Sequence, residues 1–412
     1  MSRQNHSSDD SKLNRSMNRR QFISRVGAAA LSVSIMRPSL VKGYTAGSKI
    51  PVGLIGCGNR GRWIADLFEK HGGFKVMAVA DYFKDRVDLA GEQFKVSKKR
   101  RYTGLSAYKN LLENGGVEAV AIESPPYFHP EQAAAAVEAG KHVYCAKPVA
   151  VDVPGCQTIE ESGKKATAAK QVFLADYQTR TNGFFQEAVK RAQYGDIGTP
   201  MYGEANFLSG RVGLVTDPGG PEETLRNWMS NKVLSGDVIV EQSIHSIDVA
   251  TWILDEHPLS AYGLSARNSE YEDPNDYSHY FTVNYLFPND VSIIFSGKRG
   301  GKGAGDILCR VFGTEGAIDT HYMGKISISG NTPYKGGNTG NIYLDGAVSN
   351  ITTFHENITN ERYANTTVDQ SVRSNLTAIL GRMSAYARKE VTWDEMLAKG
   401  DKWVADLSGL KS

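Results

Sequence analysis

The spacing of apolar positions divides the chain at about residue 180. Before that point, short apolar runs alternate with segments in which apolar residues recur every three or four positions, a pattern typical of alternating strands and helices. This predicts a doubly wound parallel sheet with ligands at the carboxyl ends of its strands. Beyond Pro200, runs typical of strands dominate: MYGEANFL, SAYGLSAR, HYFTVNYLF, VSIIFSG and ILCRVFG. The predicted fold class is α/β plus α+β, with an open, mostly antiparallel second sheet.

The first strand-to-helix junction carries regularly spaced glycines. In IPVGLIGCGNRGRWIADLF, Gly56, Gly58 and Gly61 have G-x-G-x-x-G spacing between an apolar strand and an amphipathic helix. The first glycine permits a tight turn, the second lets a pyrophosphate approach the backbone, and the third allows close helix–strand packing. The helix N-terminus offers unpaired N–H groups to phosphates. We predict that this turn, with Asn59 and Arg60, binds a dinucleotide.

The second predicted strand, KVMAVAD, ends in Asp81, which follows Gly61 by 20 residues. A carboxylate at this position accepts hydrogen bonds from the adenosine ribose hydroxyls and repels a 2′-phosphate. NAD is therefore the expected cofactor. The alternative for Asp81 is a helix N-cap or turn residue.

Three segments together resemble one known family. GLIGCGNRG, ESPPYFHPEQAAAAVEAGKHVYCAKPVA and EQSIHSIDVATWIL are similar to motifs of the Gfo/Idh/MocA oxidoreductases, which include glucose–fructose oxidoreductase and inositol dehydrogenase. The resemblance runs from about residue 51 to 396 and is strongest to exported, twin-arginine members. It implies a Rossmann domain, a sheet domain carrying the substrate wall, and hydride transfer between NAD(H) and a sugar, glycoside or polyol hydroxyl.

The resemblance and the apolar pattern together predict a division of the chain. We expect a leader over 1–46, an NAD-binding Rossmann domain over 47–180 and a substrate and oligomerisation sheet domain over 181–367. The segment 368–412 is expected to be helical and to pack back on the Rossmann domain. Residues 331–345, rich in Gly, Asn and Tyr, are predicted to form a long loop.

The resemblance implies a catalytic lysine. The family motif Glu-Lys-Pro stands here as Ala146-Lys147-Pro148. An ammonium at this strand end would stabilise negative charge on the oxygen whose carbon loses hydride. Without the resemblance, Lys147 would be interpreted as a solvated surface lysine. In relatives the glutamate helps to seat the cofactor, so Ala146 puts nicotinamide positioning, or catalysis itself, in question.

The resemblance also implies an acid–base histidine. The segment 235–254 is predicted to be one amphipathic helix with Glu241, His245 and Asp248 on one stripe. His245 matches the family histidine, and Glu241 would orient its ring and raise its pKa. The alternatives are a surface ion pair and a metal site, but so few ligands on one helix favour no metal.

Further contacts with ligands are expected from the resemblance. Ser124 and Pro125, and the nearby His129, are expected beside the cofactor, as are Lys147 and Pro148. Arg180 is expected on the substrate side, and Trp228 as a platform for a sugar. Ordinary loop packing or helix capping is the alternative for His129, Arg180 and Trp228.

The N-terminal segment resembles an export signal. Arg19 and Arg20 precede a weakly apolar run over 26–36, typical of a twin-arginine signal peptide. That run is far shorter than the roughly 20 residues of a membrane-spanning helix, so we expect a periplasmic protein without a stable membrane anchor. Small residues make cleavage within 43–46 plausible. The alternative is a disordered basic N-terminus.

Composition excludes some partners and leaves the reaction open. A formal net charge of +2 disfavours nucleic-acid binding, and the expected partners are a small carbohydrate or polyol and further copies of the chain, paired through the open sheet face. Three functions stay open. The first is a dehydrogenase with tightly bound NAD. The second is a glycosidase acting by transient oxidation and elimination, and the third is a non-catalytic sugar- or NAD-binding protein.

Overall fold

The computed structural model describes residues 48–211, 213–268, 276–303, 305–364 and 366–412. The predicted leader, with Arg19 and Arg20, lies outside these residues. In the described part, no helix is both long and apolar enough to cross a bilayer.

The first half of the described chain forms a six-stranded parallel sheet with the order β3-β2-β1-β4-β5-β6. Its elements are β1 (Ile50–Ile55), α1 (Asn59–His71), β2 (Phe74–Asp81), α2 (Lys84–Gln93), β3 (Arg101–Thr103), α3 (Ala107–Asn114), β4 (Ala119–Ile122), α4 (His129–Glu138), β5 (His142–Ala146), α5 (Val153–Ala168), β6 (Phe173–Asp176) and α6 (Gly183–Gln193). The strand order reverses between β1 and β4, and ligands bind at such a switch point.

The second half forms a nine-stranded sheet, antiparallel except where β7 and β10 pair. Its elements are β7 (Pro200–Ser209), α7 (Pro221–Arg226), α8 (Lys232–Ser235), α9 (Asp237–Glu241), α10 (Ile244–Leu254), β8 (Ser260–Ala266), β9 (Tyr280–Leu286), β10 (Ser292–Arg299), β11 (Asp306–Gly313), β12 (Gly316–His321), β13 (Lys325–Gly330), β14 (Tyr334–Asn338), α11 (Ile342–Thr359), α12 (Thr366–Ala387), β15 (Val391–Thr392) and α13 (Trp393–Lys399). Both sheets confirm the predicted fold class.

The faces of the two sheets are covered differently. In the first sheet, α1, α2 and α11 cover one face and α3, α4 and α5 the other, so its strands are apolar on both sides. In the second sheet, α10 and α12 pack on one face, while the other exposes Tyr202, Tyr262, Leu264, Ile294 and Phe312. Helix α12 contacts α5 and β6 as well as β8 and β9, and therefore joins the two halves.

Two predicted segments differ in the structure. The predicted loop over 331–345 contains β14 and the start of α11, where Asn341 caps the helix by accepting from the Leu344 N–H at 3.3 Å. The sequence of β14, YKGGN, lacks apolar alternation, and this edge strand is held by backbone pairing with β13. The apolar pattern therefore did not predict it. The predicted helix over 235–254 is divided into two helices, α9 and α10.

Candidate active site

The glycine turn between β1 and α1 is shaped by two close backbone contacts. Gly56 has φ +96°, and a Cβ there would lie 2.5 Å from the Glu123 carbonyl carbon. A Cβ at Gly61 would lie 1.9 Å from the Gly56 oxygen. At Gly58 a Cβ would meet nothing within 4 Å. Packing requires Gly56 and Gly61, whereas Gly58 leaves open space above the helix N-terminus. This is the cradle that a pyrophosphate needs, so the turn fits a dinucleotide.

A cleft of about 640 Å³ opens beside this turn. Its lining includes Gly56, Gly58, Asp81, Ser124, Pro125 and Trp228. Asp81 accepts from the Cys57 N–H at 2.7 Å and from the Phe83 N–H at 2.9 Å, one bond on each oxygen. Each oxygen keeps capacity for a further donor, such as a ribose hydroxyl. Burial raises the pKa of Asp81, against its backbone hydrogen bonds.

Lys147 explains why the predicted helix over 235–254 is interrupted. Its Nζ donates to the Glu241 carbonyl oxygen at 2.6 Å and lies 3.1 Å from Glu241 Oε1. In a continuous helix that carbonyl would accept from the N–H of His245, four residues later. The His245 N–H instead bonds to the Gln242 carbonyl at 3.3 Å. A side chain inserted into the helical ladder therefore separates α9 from α10.

The interruption separates Glu241 from His245, so the structure contradicts the predicted pairing of these residues. The carboxylate of Glu241 is ion-paired with Lys147. His245 lies between aromatic rings, 6.4 Å from Phe207 and 5.0 Å from Tyr322 between centroids, and its buried Nδ1 has no hydrogen-bond partner among the described residues.

The electrostatics of the catalytic pair follow from burial and neighbouring charge. Burial lowers the pKa of His245 well below its usual value, and the charges of Lys147 and Arg60 lower it further. This is opposite to the predicted rise, and the ring is neutral at pH 7. Burial also lowers the pKa of Lys147, with Glu241 acting in the opposite direction. Burial would raise the pKa of Glu241, but the charges of Lys147 and Arg299 lower it.

Comparison with known proteins identifies both halves of the chain. Residues 50–174 match the family described as "Oxidoreductase family, NAD-binding Rossmann fold", and residues 185–319 match the "GFO/IDH/MocA C-terminal domain". The chain belongs to the Gfo/Idh/MocA oxidoreductase family. It is thus an NAD-binding oxidoreductase.

Relatives within the Gfo/Idh/MocA family are similar in sequence and in fold. The scyllo-inositol 2-dehydrogenase (NAD(+)) of Bacillus subtilis is 26% identical over 270 residues, which cover 64% of this chain and 72% of the relative. The aldose-aldose oxidoreductase of Caulobacter crescentus, solved with glycerol, has 19% identity and a TM-score of 0.66, covering 84% of this chain and 99% of that one. An Agrobacterium radiobacter oxidoreductase solved with NAD+, L-tartaric acid and magnesium has 18% identity and a TM-score of 0.66, covering 85% and 100%.

Two residues predicted to contact the substrate, Arg180 and Trp228, have partners within the protein. Arg180 forms an ion pair with the buried Asp248, with Nη2–Oδ1 at 2.8 Å, and also bonds to Gln370. Its guanidinium therefore ties the segment after β6 to α10, and its contact with a substrate stays a prediction. Trp228 packs on the cluster that contains Phe83 and lines the cleft beside the glycine turn, and its role as a sugar platform stays a prediction.

His129 joins two loops of the Rossmann domain. Its Nδ1 lies 2.9 Å from the Pro148 carbonyl and its Nε2 2.7 Å from the Ser124 carbonyl. Burial lowers its pKa to about 4, so the ring is neutral and donates only one of these hydrogen bonds. His129 thus supports the cofactor-facing Ser124 loop and the Lys147-Pro148 segment, whose peptide bond is cis, from beneath.

Arg60, which is predicted to contact the cofactor, has two carboxylate partners in the structure. Its guanidinium is ion-paired with Glu123 and Asp176. Glu123, Asp176 and Tyr322 are site residues that sequence reasoning did not select. The available signal was position, because Glu123 and Asp176 end β4 and β6 at the edge where ligands bind.

The C-terminal segment closes the rim of the nucleotide cleft. The Leu105 N–H donates to the Lys411 carbonyl at 3.0 Å, and the Lys411 N–H donates to Tyr82 Oη at 3.3 Å. Leu410 packs on the cluster that contains Phe83. Since Leu105, Tyr82 and Phe83 line the cleft, residues 410 and 411 border it.

Proposed function

We propose that this Gfo/Idh/MocA protein transfers hydride between tightly bound NAD(H) and a carbon bearing a hydroxyl group in a sugar or polyol. The observation that carries the proposal is the approach of Lys147 to α9 and α10 at the carboxyl edge of the Rossmann sheet, within electrostatic reach of His245. The relatives named as inositol dehydrogenase and aldose oxidoreductase support a polyol or sugar substrate.

The two side chains divide the work at the substrate hydroxyl. When bound, NAD+ supplies the hydride acceptor. The ammonium of Lys147, held by Glu241, stabilises the negative charge that develops on the hydroxyl oxygen. The neutral ring of His245 accepts the hydroxyl proton, and its low pKa keeps it unprotonated at pH 7. Burial of both groups strengthens these electrostatic interactions.

We further propose that the protein is exported folded with NAD bound. Arg19-Arg20 and the short apolar run over 26–36 support a twin-arginine signal, and the cover formed by Leu410 and Lys411 supports slow cofactor release. The test is fractionation of cells that produce the full chain. We expect periplasmic protein, and we expect Arg19→Lys/Arg20→Lys to retain it in the cytoplasm. Periplasmic accumulation of that double variant would contradict the proposal.

Lys147→Ala and His245→Ala test the reaction itself. Purified protein should release stoichiometric NAD(H) on denaturation, and one sugar or polyol of a panel should raise the absorbance of bound NADH in a single turnover. Each variant should keep its NAD and lose this step by about 10²–10⁴-fold. Because both residues act on one event, the double variant should be little worse than either single one.

The outcomes of this experiment separate the functions. A folded His245→Ala variant with turnover near that of the wild type would exclude the proposed proton transfer. Cleavage of a glycoside without net NADH would indicate the glycosidase reaction. Bound NAD that no sugar or polyol reduces would favour the non-catalytic binding protein.

A further inference from the structure

Strands β4, β5 and β6 end in one row of side chains. Ala146 lies opposite Asp176, and Glu123 follows Ile122, which lies opposite Cys145. Residues opposite one another on parallel strands point to the same face of the sheet. Glu123, Ala146 and Asp176 therefore share the face that α1 and α11 cover. Two acids flank a single methyl group.

Arg60 of α1 spans these two acids. Its Nε lies 3.1 Å from Glu123 Oε2, its Nη2 lies 2.5 Å from Asp176 Oδ2, and its Nη1 donates to Tyr343 Oη at 2.8 Å. Strands two apart in a sheet are separated by about 9.6 Å. To meet one guanidinium, the two acids lean toward each other over the end of β5. The methyl side chain of Ala146 leaves room for this bridge.

The bridge is buried to a degree that stability alone does not explain. The side chains of Glu123 and Asp176 are fully inaccessible, whereas that of Arg60 is 29% exposed. Burial raises the pKa of Glu123 to about 7, although the charge of Arg60 acts in the opposite direction. Well-packed apolar residues often replace such buried charges without loss of stability.

The bridge that Arg60 forms with the two acids is linked to Lys147 and His245 in two ways, by charge and by contacts. The charge of Arg60 is among the causes that lower the pKa values of Lys147 and His245, after burial. There is also a chain of contacts. Gln178 Nε2 donates to Asp176 Oδ2 at 3.1 Å, Tyr322 Oη lies 3.5 Å from Gln178 Oε1, and the Tyr322 ring lies 5.0 Å from His245.

We propose that Arg60, fixed across the end of β5 by Glu123 and Asp176, is a positioning residue whose charge acts on His245, the proposed base, and that Ala146 is the small residue that this arrangement requires. The inference rests on the proposed function only in its use of His245 as the base. It also accounts for Ala146 in place of the family glutamate, because Glu123 and Asp176, at the ends of the flanking strands, supply negative charge at this edge.

The groups that face His245 come from several elements. Lys147, just after β5, and Arg60 from α1 are the cations whose charges act on the ring, and Tyr322, just after β12, is the adjacent phenol. On its own segment, Glu241 is paired with Lys147 and Asp248 with Arg180. Removing the charge of Arg60 therefore leaves less positive potential at the ring, and the pKa of His245 rises.

The test is an NMR titration of the His245 imidazole in the full chain with its cofactor, assigned by comparison with His245→Asn. Arg60→Gln alone strands two buried carboxylates, so Arg60→Gln/Glu123→Gln is the main variant. Its His245 midpoint should lie about half a pH unit or more above that of the wild type. Arg60→Lys, which keeps the charge, should move it less.

Two controls separate the field of Arg60 from general damage. Lys70→Gln removes an exposed cation of the same helix, 69% exposed and paired with Asp66, and should leave the His245 midpoint unchanged. Ala146→Leu should raise the midpoint without removing any charge, because its bulk displaces the bridge.

An unchanged His245 midpoint in the folded double variant overturns the positioning role. An unchanged midpoint in folded Ala146→Leu overturns the requirement for a small residue. The titration needs no substrate. If no sugar of the panel reduces NAD, the proposed reaction is overturned and the titration result is unaffected. If the titration fails instead, the proposed reaction is unaffected.

Discussion

The ion pair of Lys147 and Glu241 sets the alkaline side of the expected pH dependence. The reaction needs the ammonium form, and burial has already lowered the pKa of Lys147 while the charge of Glu241 opposes that change. Glu241→Gln removes the opposing charge, so the pKa of Lys147 falls further. We expect the alkaline loss of single-turnover NAD reduction to move about one pH unit lower.

The matched control is Glu256→Gln, which removes an exposed carboxylate just beyond α10 and should leave the profile in place. On the acid side, activity should be lost only below the usual histidine range, because the pKa of His245 is lowered. If the alkaline limb of the pH profile is unchanged in folded Glu241→Gln, this carboxylate does not control the pKa of Lys147.

Asp81 is expected to determine the preference for NAD over NADP. Asp81→Asn removes the charge that repels a 2′-phosphate, while the amide still accepts one of the two backbone hydrogen bonds. Arg86 already lines the same cleft and supplies a cation for the phosphate. The ratio of the Kd values should move about tenfold toward NADP, measured by calorimetry on protein freed of its cofactor.

Asp85→Asn is the control for that measurement, since Asp85 is paired with Arg226 outside the cleft lining. An unchanged ratio in Asp81→Asn would assign the ribose contact to another residue.

At the scale of elements, the β1–α1 turn separates a packing role from a binding role. Gly61→Ala places a Cβ 1.9 Å from the Gly56 oxygen and should lower the free energy of unfolding by about 2 kcal/mol or more. Gly58→Ala meets nothing within 4 Å and should keep the stability of the wild type without cofactor, but lose NAD because the methyl fills the cradle.

Thermal unfolding of the two variants freed of cofactor, together with their dinucleotide content after purification, checks both statements. Retention of NAD by Gly58→Ala would contradict the binding role of Gly58, and unfolding of Gly61→Ala at the temperature of the wild type would contradict the packing role of Gly61.

At the scale of the whole molecule, the uncovered sheet face supports the proposed homo-oligomer. Tyr262 and Ile294 lie opposite Asn284 on neighbouring strands of this face, and an exposed apolar patch of this kind is typical of an interface. We expect Ile294→Lys to shift the chain to monomer in light scattering. Leu89→Lys, on the exposed surface of α2, should not. A wild-type monomer at micromolar concentration would contradict the proposed assembly.

The sequence by itself determined the features that depend on neighbours along the chain. Glycine spacing identified the nucleotide turn because Gly61 contacts the Gly56 backbone within one strand–turn–helix unit. Alternating apolar residues predicted the mixed architecture because each strand must bury a face. Position at a strand end placed Lys147 and Asp81 on the carboxyl edge of the sheet, where ligands bind in folds of this kind.

Only the tertiary structure decided which charged groups are partners. Periodicity placed Glu241 and His245 on one stripe, but Lys147, 94 residues earlier in the chain, takes the Glu241 carbonyl and interrupts the helix. In the same way Arg60 pairs with Asp176, 116 residues away, over a gap that Ala146 leaves. The physical reason is that a buried charge bonds to whatever opposite charge the packing of elements brings within reach, and the spacing of residues along one element does not contain that information.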